Sequence, residues 1–236
     1  MKNCPRCLHD KVVKNGLAKG IQRYNCKSCK YSFTKPSADK KSPAAKAMAH
    51  LLYVTGLSFR ATAKIVGASH VSVMNWIKAF ARKNYEKPAS TGAVFVELDE
   101  IWHFVGSKQN KLWIWKAFDS ANGKLIDREC GDRDAATFQR MYKRLEERGI
   151  KLYCSDDYSV YNQVIPEDKR ITGKNFTYRI EGNNSDTRHW HARFRRKSKT
   201  VSKSAELADL TMGLFAKHHV NEGLDSLLLP VSSLFS

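Results

Sequence analysis

The sequence predicts a multidomain protein with a small β unit at the N-terminus, an all-α unit after it and an α/β unit in the second half. Two Cys-x-x-Cys pairs lie close to the N-terminus. Three short helical patterns separated by glycines follow between residues 43 and 87. From residue 94 onward, β-branched and aromatic runs alternate with a helical pattern, which is typical of an α/β fold.

The composition indicates an anionic partner. The 236 residues include 41 Lys and Arg against 23 Asp and Glu, which gives a formal net charge of +18. No apolar run approaches the roughly 18 residues that a membrane span needs, so we favour nucleic acid over a membrane surface. The N-terminus lacks the apolar core of a signal peptide. We therefore expect a cytoplasmic protein whose six cysteines are not paired in disulfides.

The first predicted domain, residues 1–36, is a zinc-binding ribbon. Its ligands would be Cys4, Cys7, Cys26 and Cys29. The two-residue gap within each pair lets both thiolates face one tetrahedral ion, and the eighteen residues between the pairs fit a short hairpin. Because four sulfur ligands leave no open position on the ion, its role would be structural. The alternative interpretations are a redox pair or free thiols.

The second predicted domain, residues 43–87, is all-α. Pro43 opens a first helix, and Ser58 and Ser69 can cap a second and a third. The third helix carries one apolar face, formed by Val73, Trp76, Ile77 and Phe80. This pattern predicts a helix-turn-helix domain, and the competing interpretation is a small helical bundle with no DNA-binding role.

A helix-turn-helix would present polar side chains to double-stranded DNA. Four of them would face the major groove, namely His70, Ser72, Asn75 and Lys78. Three basic residues could hold phosphates, namely Arg60, Lys64 and Arg82. The Pro- and Gly-containing stretch 83–92 then marks a domain boundary.

The third predicted domain, residues 94–220, begins with a strand that ends in acid. Apolar and polar residues alternate from Val94 to Glu100 and place Asp99 near the strand end. Acids are poor strand residues, so an acid there in a basic chain favours a ligand for a hard divalent cation. Asn122-Gly123 predicts a hairpin between the next two strands. Three consecutive strands would therefore be antiparallel.

Two further acids are expected near Asp99. A helix capped by Asp134 leads to an apolar run that ends at Asp156, and a strand reached through a helix normally returns parallel to its neighbour. Asp99 and Asp156 would then share a sheet edge. Glu181 opens another predicted helix, with Arg188 nearly two turns later on the same face. Three carboxylates can hold two Mg²⁺ ions about 4 Å apart, which stabilise the entering and leaving oxygens of an attacked phosphodiester.

Four segments together match a known pattern. They are the two Cys pairs, Val73-Met74-Asn75-Trp76, the run Glu97–Lys108 and Val201-Ser202-Lys203-Ser204. In these segments the chain resembles the fused transposase of the bacterial insertion-sequence-one family. The resemblance implies a ribonuclease-H-like catalytic domain with an Asp-Asp-Glu triad, and binding of terminal inverted repeats by the N-terminal half.

The resemblance also implies roles for particular residues. Asp99, Asp156 and Glu181 match the triad, which would bind catalytic Mg²⁺ or Mn²⁺, and Arg188 matches the basic residue downstream of the Glu. The implied function is a DNA transposase that cleaves and joins strands. Because two element ends must be joined to one target, we expect a homodimer or larger assembly on DNA. One departure is Gly182, since the family usually carries Arg after its last acid.

Some alternatives stay open at this point. Glu97 and Asp157 neighbour the chosen acids and are rival ligands, whereas strand alternation places Glu100 on the opposite face from Asp99. A non-catalytic DNA-binding regulator of a mobile element is the competing function.

The C-terminal part adds a basic tract and a closing helix. The tract would follow a DNA backbone, or else form a solvated face, through Arg193, Arg195, Arg196 and Lys197. Residues 205–220 form a predicted amphipathic helix, and residues 221–236 form a tail.

Overall fold

The computed structural model describes residues 3–18, 20–34, 41–89, 91–195, 200–225 and 227–228. The chain divides into two compact units, Met1–Ser42 and Pro43–Ser236. Within the described residues, no helix has both the length and the apolar character needed to cross a membrane.

The first unit is a small antiparallel sheet with strands β1 (Val12–Ala18), β2 (Ile21–Cys26) and β3 (Ser32–Thr34) in that order. Its buried apolar core consists of Cys4, Cys26 and Phe33. A core of this size removes too little apolar surface from water to stabilise a fold by itself. The unit therefore needs a further source of stability, such as a metal ion.

The second unit starts with three helices, α1 (Pro43–Val54), α2 (Phe59–Val66) and α3 (His70–Lys83). The predicted caps are confirmed. Ser58 and Ser69 accept hydrogen bonds from the backbone N–H groups of Ala61 and Ser72, at 3.2 Å and 3.0 Å. Gly67 ends α2 in the left-handed conformation, with φ at 62°.

A mixed sheet follows the helices. Its strands are β4 (Phe95–Phe104), β5 (Lys111–Asp119), β6 (Lys124–Gly131), β7 (Leu152–Ser155) and β8 (Arg170–Thr172), in the order β6-β5-β4-β7-β8. The strand β5 is antiparallel to both β4 and β6, and the antiparallel pair of β5 and β6 agrees with the predicted Asn122-Gly123 hairpin. The strand β7 runs parallel to β4, and β8 runs parallel to β7.

Helices cover both faces of this sheet. On one face lie α4 (Ala135–Glu147), which Asp134 caps, and α5 (Ser159–Val164). On the other face lie α6 (Tyr178–Trp190) and α7 (Ala205–Phe215). Val96 and Leu98 pack into the core with α4, so strand alternation turns Glu97 and Asp99 toward α6. Both acids thus lie beneath the helix that contains Glu181.

The three N-terminal helices of this unit share a core with α7. Tyr53 and Ile77 pack in one cluster with Leu210 and Leu214, and the Tyr53 hydroxyl lies 2.7 Å from Thr211 Oγ1. The sequence prediction placed a domain boundary between residues 87 and 94, whereas residues 43–236 form one compact unit. The cause is α7, which is apolar on two faces and contacts both the sheet and the helices.

Candidate active site and metal centre

The four paired cysteines of the first unit lie together. The Sγ atoms of Cys4 and Cys29 are 3.7 Å apart, and those of Cys7 and Cys26 are 3.6 Å apart. All four sulfur atoms lie within 4.8 Å of one another. Sulfurs placed 2.3 Å from a tetrahedral zinc ion would be about 3.8 Å apart. The cluster therefore has the dimensions of a zinc site with four thiolate ligands.

Asp99 lies in the middle of β4, and Asp156 directly follows the end of β7. The prediction that Asp99 lies near the end of its strand is wrong, because β4 continues to Phe104 in its pairing with β5. In the parallel pairing of β4 with β7, Glu97 lies opposite Cys154. Continuing this register by two residues brings Asp99 level with Asp156, and alternation places both side chains on the same face. The two acids therefore lie side by side where β7 ends, although β4 continues beyond Asp99.

The surroundings of Asp99 disfavour the ionised form of its carboxyl. Burial raises the pKa of the Asp99 carboxyl to about 6, and the nearby carboxylates of Glu100 and Asp156 add to this. The backbone N–H of Glu100, which donates to Asp99 Oδ1 at 2.8 Å, acts in the opposite direction. A divalent cation held by Asp99 and Asp156 would lower this pKa, because a nearby positive charge favours the ionised carboxylate.

A buried lysine, which sequence reasoning missed, lies beside Asp99. Lys116 is opposite Asp99 in the β4–β5 pair and is completely buried. Its Nζ donates to Asn184 Oδ1 at 2.7 Å and to Thr187 Oγ1 at 3.2 Å. Burial lowers the pKa of Lys116 to about 7, although the charge of Asp99 opposes this shift. The sequence signal was a lone Lys within the apolar run of β5, in antiparallel register with an acid.

The helix α6 presents Glu181 near this edge. The helix begins at Tyr178, three residues before the predicted start, so Glu181 lies in its first turn and is exposed. Four residues on its inner face are buried against the sheet, namely Ile180, Asn183, Asn184 and Thr187. Arg188 is partly exposed and close enough to Lys116 to depress the pKa of its amine.

The acids are less tightly grouped than the cysteines. Among the described residues, the cysteine cluster is the one set of three or more ligand-type side chains whose donor atoms all lie within 4.8 Å. Asp156 thus follows the end of β7 close enough to Asp99 to raise its pKa, and Glu181 lies in the first turn of α6. The structure does not bring the three carboxylates into mutual contact.

The rival acids have other partners. Glu100 is on the opposite face, as alternation predicts, where it binds Arg133 and accepts a hydrogen bond from the Tyr161 hydroxyl at 2.8 Å. Asp157 is exposed and accepts from Asn162 Nδ2 at 3.1 Å. Glu97 is buried and accepts from the backbone N–H of Ile180 at 2.8 Å.

Comparison with known proteins identifies the family of this chain. The family model described as IS1 transposase matches residues 93–222, which is more than half of the chain. The chain belongs to the IS1 transposase family. This confirms the resemblance seen in the sequence.

Two InsB proteins support the assignment, and one solved structure is also similar. The InsB protein of insertion element iso-IS1n from Shigella dysenteriae is 37% identical over 128 residues, covering 54% of this chain and 98% of that protein. An IS1 InsB protein of Escherichia coli K12 is 32% identical over 135 residues, covering 57% of this chain and 78% of that protein. The catalytic core domain of BIV integrase is 16% identical, with a TM-score of 0.38, and the alignment covers 61% of this chain and all of that one.

In this IS1-family chain, the predicted DNA-contacting residues of α3 differ from one another in solvent exposure and in contacts. His70 and Asn75 are exposed and Ser72 is partly exposed. Lys78 instead forms an ion pair with Glu206 at 3.0 Å, and Arg82 binds the same carboxylate. The prediction that Lys78 faces a DNA groove does not describe this structure, because the side chain is directed at α7.

The predicted basic tract is corrected at its first residue. Arg193 is 4% exposed, and its guanidinium donates to the Tyr53 hydroxyl at 2.9 Å and to Ser202 Oγ at 2.8 Å. Arg193 therefore links α1 to Ser202 in the interior and cannot contact a DNA backbone. Arg195 is exposed. Arg196 and Lys197 lie outside the described residues.

Proposed function

We propose that this chain is a DNA transposase that cleaves the ends of its element and joins them to a target, with Asp99, Asp156 and Glu181 as its catalytic acids. The observation that carries the proposal is the register of β4 and β7, which sets Asp99 level with Asp156 beneath the helix of Glu181. Membership of the IS1 transposase family supports it. Arg188, on the Glu181 side of α6, would contact a phosphate of the DNA.

The site suits Mg²⁺ or Mn²⁺, because its donors are carboxylate oxygens. Two such ions, when bound, stabilise charge on the entering and leaving oxygens of the phosphodiester. The protein contributes orientation. The Glu100 N–H and the Asn184 amide fix the two oxygens of Asp99, and the partial burial of this carboxyl limits access of water.

The sheet topology supports a ribonuclease-H-like assignment of the α/β portion. Three antiparallel strands are extended by two parallel strands, and helices cover both faces. We assign this fold to the α/β portion on the basis of this strand order and of the helices on both faces.

We further propose that α2 and α3 form a helix-turn-helix that binds the terminal inverted repeats. His70, Ser72 and Asn75 remain available to a major groove, and the exposed Arg60 and Arg195 would contact phosphates. Lys78 would contribute only if its ion pair with Glu206 opened. The net charge of +18 supports a polyanionic partner. A homodimer or larger assembly would be needed to hold two ends.

A joining assay tests the catalytic proposal. A plasmid with both element ends is incubated with the full chain, with Mg²⁺ and with Mg²⁺ omitted, and joined products are counted. We expect products only with Mg²⁺, and we expect Asp99→Asn and Asp156→Asn to abolish them. Asp157→Asn is the matched control and should retain activity, since Asp157 is an exposed neighbour bound to Asn162. Undiminished joining by Asp99→Asn would refute the triad. End binding without any joining would favour the regulator.

A further inference from the structure

The helix α6 begins without a side-chain cap of its own. Its N-cap residue, Thr177, makes no capping hydrogen bond. The first N–H groups of a helix have no partner within the helix, and a buried one is costly to leave unpaired. Ile180 in this first turn is completely buried, so its N–H cannot rely on water.

A carboxylate from the sheet supplies the missing acceptor. Glu97 Oε2 accepts from the Ile180 N–H at 2.8 Å, and Glu97 Oε1 accepts from the Ser120 hydroxyl. Ser120 belongs to the turn after β5, and its carbonyl also accepts from Arg179 Nη1 at 2.6 Å. A negative charge at a helix N-terminus is favourable because of the helix dipole. Glu97 thus joins β4, this turn and α6.

The location of this contact links two of the proposed catalytic acids. Glu97 is two residues before Asp99 on the same strand face, a distance of about 6.7 Å along the strand. Ile180 immediately precedes Glu181. We propose that Glu97 is a positioning residue, which caps α6 and so fixes the first turn of this helix, which contains Glu181, against β4. The inference rests on the proposed function for the roles of Asp99 and Glu181.

The same geometry argues against Glu97 as a metal ligand. Glu97 is only 2% exposed, and its two oxygens bind a helix backbone and a turn. Asp99 is partly exposed and close enough to Asp156 for that carboxylate to raise its pKa. An ion arriving from solvent can therefore reach Asp99 without disturbing the start of α6, whereas reaching Glu97 would require that contact to break.

Replacing Glu97 by Gln distinguishes a helix-capping role from a metal-ligand role. A cap requires an oxygen acceptor, and the Gln amide keeps one for the Ile180 N–H while its NH₂ group can donate to Ser120. A metal ligand requires the negative charge, which Gln lacks. Glu97→Gln should therefore retain function if the residue positions α6, and Glu97→Ala should not.

The test measures amide exchange and strand joining on the same full-length variants. In Glu97→Ala we expect hydrogen exchange at Ile180 to rise about fivefold or more. Joined products should fall about tenfold or more, because the acid on α6 is misplaced. Glu97→Gln should stay near the wild-type values of both. Exchange in α4 serves as the internal reference for overall folding.

Two results would overturn the inference. One is unchanged exchange at Ile180 in Glu97→Ala. The other is loss of joining in Glu97→Gln with exchange unchanged, which would give Glu97 a direct part in the chemistry. If Glu97→Ala does not fold, the Gln variant alone decides between these outcomes. Asp156→Asn is the separating control, because Asp156 accepts from the Tyr158 N–H outside α6, so the change should abolish joining and leave Ile180 exchange unaltered. Persistent joining in Asp156→Asn would refute the proposed function but not the cap.

Discussion

Asn184 donates a hydrogen bond from Nδ2 to Asp99 Oδ2 at 2.6 Å, and its Oδ1 accepts from the buried Lys116 at 2.7 Å. A protonated lysine can only donate and an ionised carboxylate can only accept, so in those states the Asn184 amide has one orientation that satisfies both. The amide therefore bridges Lys116 and Asp99. It also fastens α6 to β4 one turn beyond the contact made by Glu97.

Replacing Asn184 by Ala should damage both stability and catalysis. The change leaves the Lys116 amine without one partner and Asp99 Oδ2 without a donor, at a cost of about 1–3 kcal/mol in the free energy of unfolding. Joining should fall about tenfold or more, because Asp99 loses its fixed orientation. Urea unfolding and the joining assay measure the two effects.

Asn183 provides the matched control for this prediction. It is the adjacent buried amide on α6, and within the described residues its Oδ1 lacks a hydrogen-bond partner. Asn183→Ala should therefore cost less stability than Asn184→Ala and should largely preserve joining. Equal losses in the two variants would show that the Asn184 bridge has no special role.

This bridge also shows where sequence reasoning reached its limit. The period-two pattern of β4 correctly separated Glu97 and Asp99 from Glu100, because alternation is a local property of a strand. The caps at Ser58 and Ser69 are equally local and were predicted correctly. The partners of Lys116 lie 68 and 71 residues away, and no local pattern encodes such a pairing.

The incorrect predictions for Arg193 and Lys78 have the same cause. Arg193 was grouped with a basic tract by its neighbours in sequence, but the fold turns its guanidinium inward to Tyr53, 140 residues away. Lys78 was assigned to a DNA groove for the same reason, but its side chain binds Glu206 of α7. Charge in a sequence window therefore predicted a polyanionic partner for the chain as a whole, but it did not identify which side chains stay on the surface.

Gly182 is a site where substitution should stabilise the protein. It lies inside α6, and a Cβ built on it would have no atom within 4 Å. Gly182→Ala should raise the free energy of unfolding by about 1 kcal/mol, because Gly is unfavourable in a helix interior. Urea unfolding measures the change.

Gly213 in α7 is the control, with the opposite expected sign. A Cβ there would lie 2.5 Å from Nη2 of Arg128, whose side chain is held by Asp209 and by stacking on Tyr85. Gly213→Ala should therefore destabilise the protein. If Gly182→Ala also destabilised it, the helix interior around Gly182 would have to contain a contact that this structure does not show.

Removal of zinc should unfold the first unit and leave the second intact. The three-residue apolar core of the first unit cannot stabilise its sheet without the ion. A zinc-selective chelator should therefore raise hydrogen exchange throughout β1–β3 and weaken binding to element ends, while exchange in β4 stays constant.

Purified Cys26→Ser should lose about one equivalent of zinc, as four-cysteine sites need every ligand. Cys130→Ser, in β6, should keep it, and full zinc content in Cys26→Ser would contradict the assignment.

Acid should destabilise the second unit through His191. Its ring is 1% exposed, and burial lowers the pKa of His191 to about 3, with smaller contributions from the neighbouring His219 and Arg193. In the unfolded chain a histidine takes up a proton near pH 6.5, so below that pH the unfolded state binds more protons than the folded state. The free energy of unfolding should then fall as the pH decreases, by about 1.4 kcal/mol per pH unit for this one group.

The prediction is tested by measuring urea unfolding between pH 7.5 and pH 5.5 in His191→Phe and in the wild type. Phenylalanine keeps the aromatic contacts with Phe194 and Phe215 and cannot be protonated. The variant should therefore lose less stability over this range. Below pH 6.5, its free energy of unfolding should change less steeply with pH than that of the wild type, by the contribution of about one proton. The exposed His70 provides the control, and His70→Asn should keep the wild-type slope. If the slope of His191→Phe equalled that of the wild type, the acid sensitivity would have to arise at another buried group. His103 would then be the next residue to replace, because burial lowers its pKa to about 4.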